Sequence, residues 1–258
     1  MDLAICITVK NRSNLVVNQE DFIETYKHVM NKLEITPARQ HFPPTLNRDN
    51  TITLNLLPKM LISLVSVKKP EDKWTVIIID YDSTDANVEL ISSQILQGHM
   101  DLVVHKELTE QFSRGSGLHL AANLAKQRNI ENMFFCDADM YFTNHEIFDQ
   151  AKAALDNGKI YFPVCFSFVK PDHLYGFWQD TGYGMLFIKT EMYFTVNKWT
   201  HNISWGEEDN KMKQNFPENM IIRSRANGYF HQWHPNSFEF KNANYPVKYY
   251  AGKNAIVL

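Results

Sequence analysis

Asn132-Met133-Phe134-Phe135-Cys136-Asp137-Ala138-Asp139 decides the reading of this chain. A short apolar run that ends abruptly in acids reads as a buried parallel strand that delivers carboxylates to the edge of a sheet. Two carboxylates on a tight loop suit a hard divalent cation with oxygen ligands. By itself an Asp-x-Asp triplet arises by chance about once in a chain of this size, and it can equally form a turn or a helix cap. Its setting must therefore carry the weight.

Working outward, the same pattern recurs twice upstream. Leu3 to Val9 is an apolar strand that ends in Lys10-Asn11-Arg12-Ser13. Trp74 to Asp80 is a β-branched strand that runs into Asp80-Tyr81-Asp82-Ser83-Thr84-Asp85. Helical spacing is predicted over 19–33, 54–67, 86–96 and 117–128, with a short strand over 102–105 and a proline-bearing loop over 36–50. Strands alternating with helices imply an α/β fold of Rossmann-like type: a mostly parallel central sheet with helices on both faces. In such sheets ligands bind at the carboxyl ends of strands, where three separate strands here place polar groups. After residue 150 the strand–helix rhythm loosens. The expected organisation is a single domain, with one binding half over 1–140 and a second over 141–258.

Composition narrows the function classes. The chain has 258 residues, enough for a substantial core, with 44% hydrophobic and 21% charged residues. A formal net charge of −3 gives no basic surface for nucleic acid. Cys6, Cys136 and Cys165 lie in apolar runs without metal or redox spacing, as buried small hydrophobes in a reducing compartment do. No stretch is long enough to span a membrane, and no signal peptide precedes the first strand. With Met1 as the natural start the expectation is a cytoplasmic protein, which makes the Asn202-Ile203-Ser204 sequon incidental.

Two further stretches carry chemistry. Trp205-Gly206-Glu207-Glu208-Asp209-Asn210 sets three acids behind Trp-Gly. They can be a solvated helix N-terminus, where carboxylates complement the dipole, or they can hold a base that takes a proton from a hydroxyl. Phe230-His231-Gln232-Trp233-His234-Pro235 places two histidines three apart beside tryptophan. Imidazole is an acceptable partner for Mn²⁺, and either His231 or His234 could ligate, with His231 preferred.

These motifs, in this order, resemble the galactosyltransferase and chondroitin-synthase group of GT-A glycosyltransferases, with an N-terminal half similar to the family 2 enzymes. Ile7-Thr8-Val9-Lys10-Asn11-Arg12 resembles the group's first strand and uridine-holding turn, with Thr8 and Val9 where the group has Pro and Phe. Asp80 to Asp85 resembles the acidic segment after the second strand. Phe112-Ser113-Arg114 resembles the segment whose arginine reaches the donor diphosphate. Gly182-Tyr183-Gly184-Met185 through Asn210 resembles a Gly-rich strand followed by Trp-Gly-Gly-Glu-Asp, with Glu207 in place of the second glycine.

The resemblance implies an inverting transfer of one sugar (galactose, xylose or N-acetylhexosamine type) from a UDP-sugar to a hydroxyl of an oligosaccharide or glycoconjugate. It implies donor contacts from Thr8, Val9, Lys10, Arg12, Asp80, Asp82, Arg114, Asp137, Ala138, Gly184 and Trp205. Acceptor contacts fall to Trp205, Glu207 and Glu208, with Asp209 as base and Glu208 orienting the acceptor. Mn²⁺, or Mg²⁺, is expected on Asp139 and His231, with Asp137 in support. Two other classes compete. A nucleotidyltransferase would carry a glycine-rich phosphate loop after the first strand, which Lys10-Asn11-Arg12 lacks. A non-catalytic carbohydrate-binding protein on the same fold would have no need of the intact acidic motifs.

Overall fold

The computed structural model describes residues 1–18, 36–37, 45–47, 51–108, 111–169, 172–199 and 207–234. The helix predicted over 19–33, most of the loop over 36–50, and Trp205 with Gly206 lie outside these residues. The strands are β1 (Asp2–Val9), β2 (Leu15–Asn18), β3 (Thr36–Pro37), β4 (Thr45–Leu46), β5 (Thr51–Leu54), β6 (Lys73–Asp80) and β7 (Asp101–Lys106). They continue as β8 (Asn132–Asp137), β9 (Met140–Phe142), β10 (Ile160–Phe168), β11 (Tyr175–Trp178), β12 (Leu186–Lys189) and β13 (Ile221–His231). The helices are α1 (Leu56–Val67), α2 (Val88–Leu96), α3 (Arg114–Gln127), α4 (Glu146–Asp156), α5 (Thr190–Thr195) and α6 (Glu207–Gln214).

The three strands read from the sequence lie side by side. β1 pairs in parallel with β6, ending at Val9↔Asp80. It pairs in parallel with β8 on its other edge, ending at Thr8↔Asp137. β7 extends the block in parallel beyond β6. The polar residues that follow these strands therefore converge on one edge of the sheet. Both faces are buried, and alternate residues show it. Leu3, Ile5, Ile7 and Val9 pack into the layer that holds Leu57, Met60, Leu61 and Leu64 of α1 together with Ile147 and Phe148 of α4. Ala4 and Cys6 point the other way, onto Leu118, Ala121, Ala122 and Ala125 of α3 and Tyr193 of α5. A strand buried on both faces has no reason to alternate polar with apolar, which is why these strands read as continuous apolar runs.

Beyond β8 the sheet is mixed. β12 lies antiparallel between β8 and β10, and β11 is antiparallel to β10. β13 runs parallel to β10 and then turns onto β9. The parallel order thus holds over the first half and gives way in the second, where antiparallel pairs stand beside the parallel β10–β13 pair. Among the described residues, no helix is long and apolar enough to cross a membrane.

The helix that carries Arg114 is seated by a close approach. Gly117 of α3 lies so near β1 that a Cβ there would come within 2.4 Å of Thr8 Cγ2 and 3.0 Å of Tyr81 Cε2. Tyr81 in turn donates its hydroxyl to the Ser113 carbonyl, and the Ser113 hydroxyl accepts from the Ser116 amide as the N-cap of α3. In Gly117→Ala, the alanine gains about 1 kcal/mol of helix propensity. Overpacking a filled core costs about 1–3 kcal/mol, and contact with a methyl on a buried strand belongs at the upper end. The expected result is a net loss of about 2 kcal/mol, read as a lower urea midpoint. An unchanged or raised midpoint would contradict this packing.

Candidate active site

Arg114, the first residue of α3, gathers three distant segments. Its Nε donates to Asp137 Oδ1 at 2.6 Å, Nη1 to Asp209 Oδ1 at 3.0 Å and Nη2 to the Gly184 carbonyl at 2.5 Å. The guanidinium also lies 5.5 Å from the centre of the Trp199 ring. Burial works against its charge, but Asp137 and Asp209 outweigh burial and hold it protonated, with its pKa raised further above the usual arginine value. The planar fork suits such an arrangement, because it presents several donors at fixed angles. Gly184 completes the fit: a Cβ there would stand 3.1 Å from Asp209 Oδ2.

Asp209 lies in the first turn of α6, as expected of a carboxylate at a helix N-terminus. Burial pushes its pKa up to about 6, with Glu208 and Asp137 adding to the rise and Arg114 opposing it. Glu208 is itself buried beside it. Such a carboxylate is ionised at neutral pH yet a much stronger base than an exposed aspartate.

Asp139 faces a different set of partners. Its Oδ2 is 3.2 Å from His234 Nε2 and 3.3 Å from Arg12 Nη1, and its Oδ1 is 3.6 Å from His231 Nε2. One ligand atom each from Asp139, His231 and His234 lie within 4.8 Å of one another. Asp139 is 5% exposed, and its Oδ1 accepts no hydrogen bond. Burial would raise its pKa, but His231, Arg12 and His234 outweigh that and hold it well below the usual carboxylate range. Burial lowers the pKa of His231 despite Asp139, favouring the neutral imidazole that binds metals. A buried carboxylate oxygen without a hydrogen-bond partner, facing two imidazole nitrogens, fits a divalent metal. Two nitrogen ligands suit Mn²⁺ or another transition metal better than Mg²⁺.

The fold explains how His231 arrives there. The β10–β13 register jumps from Val164↔Arg225 to Phe166↔Phe230. Gly228, at φ 76°, takes the bend, where a Cβ would also strike the Asn144 side chain. The end of β13 can then pair with β9 as His231↔Met140, next to Asp139.

Other predicted residues take varied places. Asp137 faces Arg114 and stands outside the histidine group, although only Ala138, itself buried, separates it from Asp139. Arg114, expected at a diphosphate, is committed to two carboxylates and a carbonyl. Arg12 is the cation on Asp139 instead. Thr8 and Val9 are buried at the end of β1, and Lys10 follows them on the turn. The Asp80 carboxylate accepts from the Ser83 amide, while Asp82, at φ 53°, pairs with Lys106 at 2.6 Å on the rim. Asp85 accepts from the amides of Ser13 and Asn14 at 2.7 and 2.8 Å, binding the turn after β6 to the turn after β1. The Glu207 side chain and Trp205 lie outside the described residues. Sequence reading did not single out Trp199 or the Gln232 side chain, and both contacts are long-range.

The raised pKa of Asp209 has a consequence for stability. The folded state holds its proton up to about pH 6, whereas an ordinary aspartate releases it near 3.8. The associated stability is fully present below about pH 3.8 and is lost as pH rises through 6. Asp209→Asn removes this dependence. The unfolding free energy of the variant relative to the wild type should therefore grow by up to about 3 kcal/mol between pH 4 and 7, measured by urea titration. A flat difference would mean that Asp209 is not perturbed.

The family model of chondroitin N-acetylgalactosaminyltransferases matches residues 59–247. Chondroitin sulfate N-acetylgalactosaminyltransferase 1 of Mus musculus is 30% identical over 151 residues, which is 50% of this chain but 28% of that protein. Chondroitin sulfate synthase 3 of Homo sapiens is 25% identical over 211 residues, covering 72% of this chain and 22% of that protein. This chain thus matches less than a third of the length of these relatives. Among solved structures, S. aureus TarS 1–349 in complex with UDP-GlcNAc superposes with a TM-score of 0.58 at 15% identity, over 92% of this chain and 60% of that one. At that identity the likeness concerns the fold, which is the GT-A fold of nucleotide-sugar transferases. With the family model spanning most of the chain, this protein belongs to the chondroitin N-acetylgalactosaminyltransferase family, a family of glycosyltransferases.

Proposed function

We propose that this chain transfers a single N-acetylhexosamine, N-acetylgalactosamine by preference, from its UDP-sugar to a hydroxyl of a glycan acceptor, with inversion and with a divalent metal. The observation that carries the proposal is Arg114 joining Asp137 to Asp209, with only Ala138 between Asp137 and Asp139, which faces His231 and His234. A strong base and a metal-ligand set then belong to one site. The family name supports the choice of sugar and of a glycan acceptor.

In this reading Asp209 takes the proton from the acceptor hydroxyl as its oxygen bonds to the anomeric carbon. The bond from that carbon to the diphosphate oxygen breaks on the opposite face, and UDP leaves with the electron pair. Arg114 fixes the Asp209 carboxylate and keeps it ionised at neutral pH; Glu208 orients the acceptor. Asp139, His231 and His234 would hold the metal, which when bound supplies positive charge for the departing diphosphate. Arg12 adds charge at the same place, a role in which electrostatic stabilisation is strongest when the donors are preorganised.

With Mn²⁺ present, a screen of UDP-sugars should show UDP release with UDP-N-acetylgalactosamine, and Asp139→Ala should abolish metal-dependent UDP binding in calorimetry. Unchanged UDP affinity in that variant would overturn the metal assignment. Asp209→Asn should bind donor normally and lose about 10²–10⁴-fold in transfer rate; full turnover would exclude Asp209 as base. In the wild type, kcat/KM should fall as pH drops through about 6, because protonated Asp209 cannot accept the proton; a profile flat to pH 5 would contradict this.

A further inference from the structure

His231 and His234 are three residues apart yet both face one carboxylate. In an extended strand residues three apart are about 10 Å from each other and on opposite faces, so the chain must turn between them and something must hold the turn. His231 is the last residue of β13. The next residue, Gln232, is 1% exposed and makes three bonds to its surroundings. Its backbone amide donates to the Asp139 carbonyl at 2.8 Å. Its side-chain Nε2 donates to the Met140 carbonyl at 3.0 Å and to the Leu56 carbonyl at 3.1 Å. A carboxamide nitrogen has two hydrogens, and here each has a carbonyl. Met140 follows Asp139 directly, and Leu56 opens α1. Gln232 therefore clasps the carbonyls on both sides of the Met140 α-carbon, directly after Asp139, while its neighbours aim their imidazoles at the Asp139 side chain. Trp233 adds a fourth tie, its amide donating to His173 Nε2 at 3.3 Å.

We propose that Gln232 is a positioning residue for metal binding: its carboxamide, bridging Met140 and Leu56, sets His231 and His234 on Asp139. The inference rests on the metal site proposed above. It requires two donors on a side chain of this length. Methionine has the length without the donors. Asparagine has the donors without the reach.

The test is Mn²⁺ binding to the nucleotide-free protein by calorimetry, with the melting temperature of the metal-free protein measured alongside. Ser63→Ala serves as the control. Ser63 is buried in the same seam between α1 and β9, donating to the Met60 carbonyl at 2.7 Å and accepting from the Phe142 amide at 3.2 Å, but it does not touch the histidine segment. Gln232→Met should weaken Mn²⁺ binding about 10–100-fold. Ser63→Ala should lower the melting temperature and leave the Mn²⁺ dissociation constant within about twofold of the wild type, since it alters no group next to a ligand. Should Gln232→Met fail to fold, Gln232→Asn takes its place with the same expected loss. Wild-type Mn²⁺ affinity in the Gln232 variant overturns the proposal and leaves the metal site standing. Equal loss of affinity in the Gln232 and Ser63 variants reduces Gln232 to a general stabilising role and also overturns it. No Mn²⁺ binding by the wild type defeats both readings.

Discussion

The site depends on one guanidinium between two carboxylates. Arg114 meets Asp137 from the end of β8 and Asp209 from the start of α6, segments 72 residues apart along the chain, and Gly184 receives its remaining hydrogen bond. Without that cation, two partly buried acids would face one another in a site that already pushes Asp209 up to about 6. With it, Asp209 can be both ionised at neutral pH and basic. The constraint runs back into the core. Arg114 is placed by α3, α3 is seated on β1 through Gly117, and β1 carries the turn that delivers Arg12 to Asp139.

The division of labour between Asp137 and Asp139 follows from local geometry. On a continuing strand, residues two apart share a face. β8 ends at Asp137, and Ala138-Asp139 form a turn before β9 begins. The turn sends Asp137 towards Arg114 and Asp139 towards the histidines. A triplet that looks like one bidentate feature thus serves two groups, with different partners and different electrostatics.

Much of the first half was legible in the sequence because its physics is local. Strands buried on both faces appear as unbroken apolar runs, and their ends are marked by Lys10-Asn11-Arg12, Asp80 to Asp85 and Asp137-Ala138-Asp139. The second half was less legible for reasons that can be named. β10 is buried at all nine positions, yet Pro163 stands in its middle, and proline argues against an interior strand. β13 is interrupted by the bend at Gly228, which breaks the alternation a reader would count. In the site, Asp139 and the two histidines were visible as residue types in suggestive order. That Arg114 would turn to two acids, that Arg12 would sit on Asp139, and that Gln232 would bridge two carbonyls depend on contacts 23 to 176 positions apart, and no local pattern encodes such distances.

The proposed inverting transfer needs the carboxylate at Asp209, tied by Arg114 to Asp137, and the candidate ligand set at Asp139 to act on one donor. Proton NMR of the product made from UDP-N-acetylgalactosamine, a glycan acceptor and Mn²⁺ examines this most directly. Because the donor sugar is α-linked to UDP, one new β-anomeric signal should grow in step with free UDP. An α-linked product, or UDP released without a transferred sugar, would contradict it.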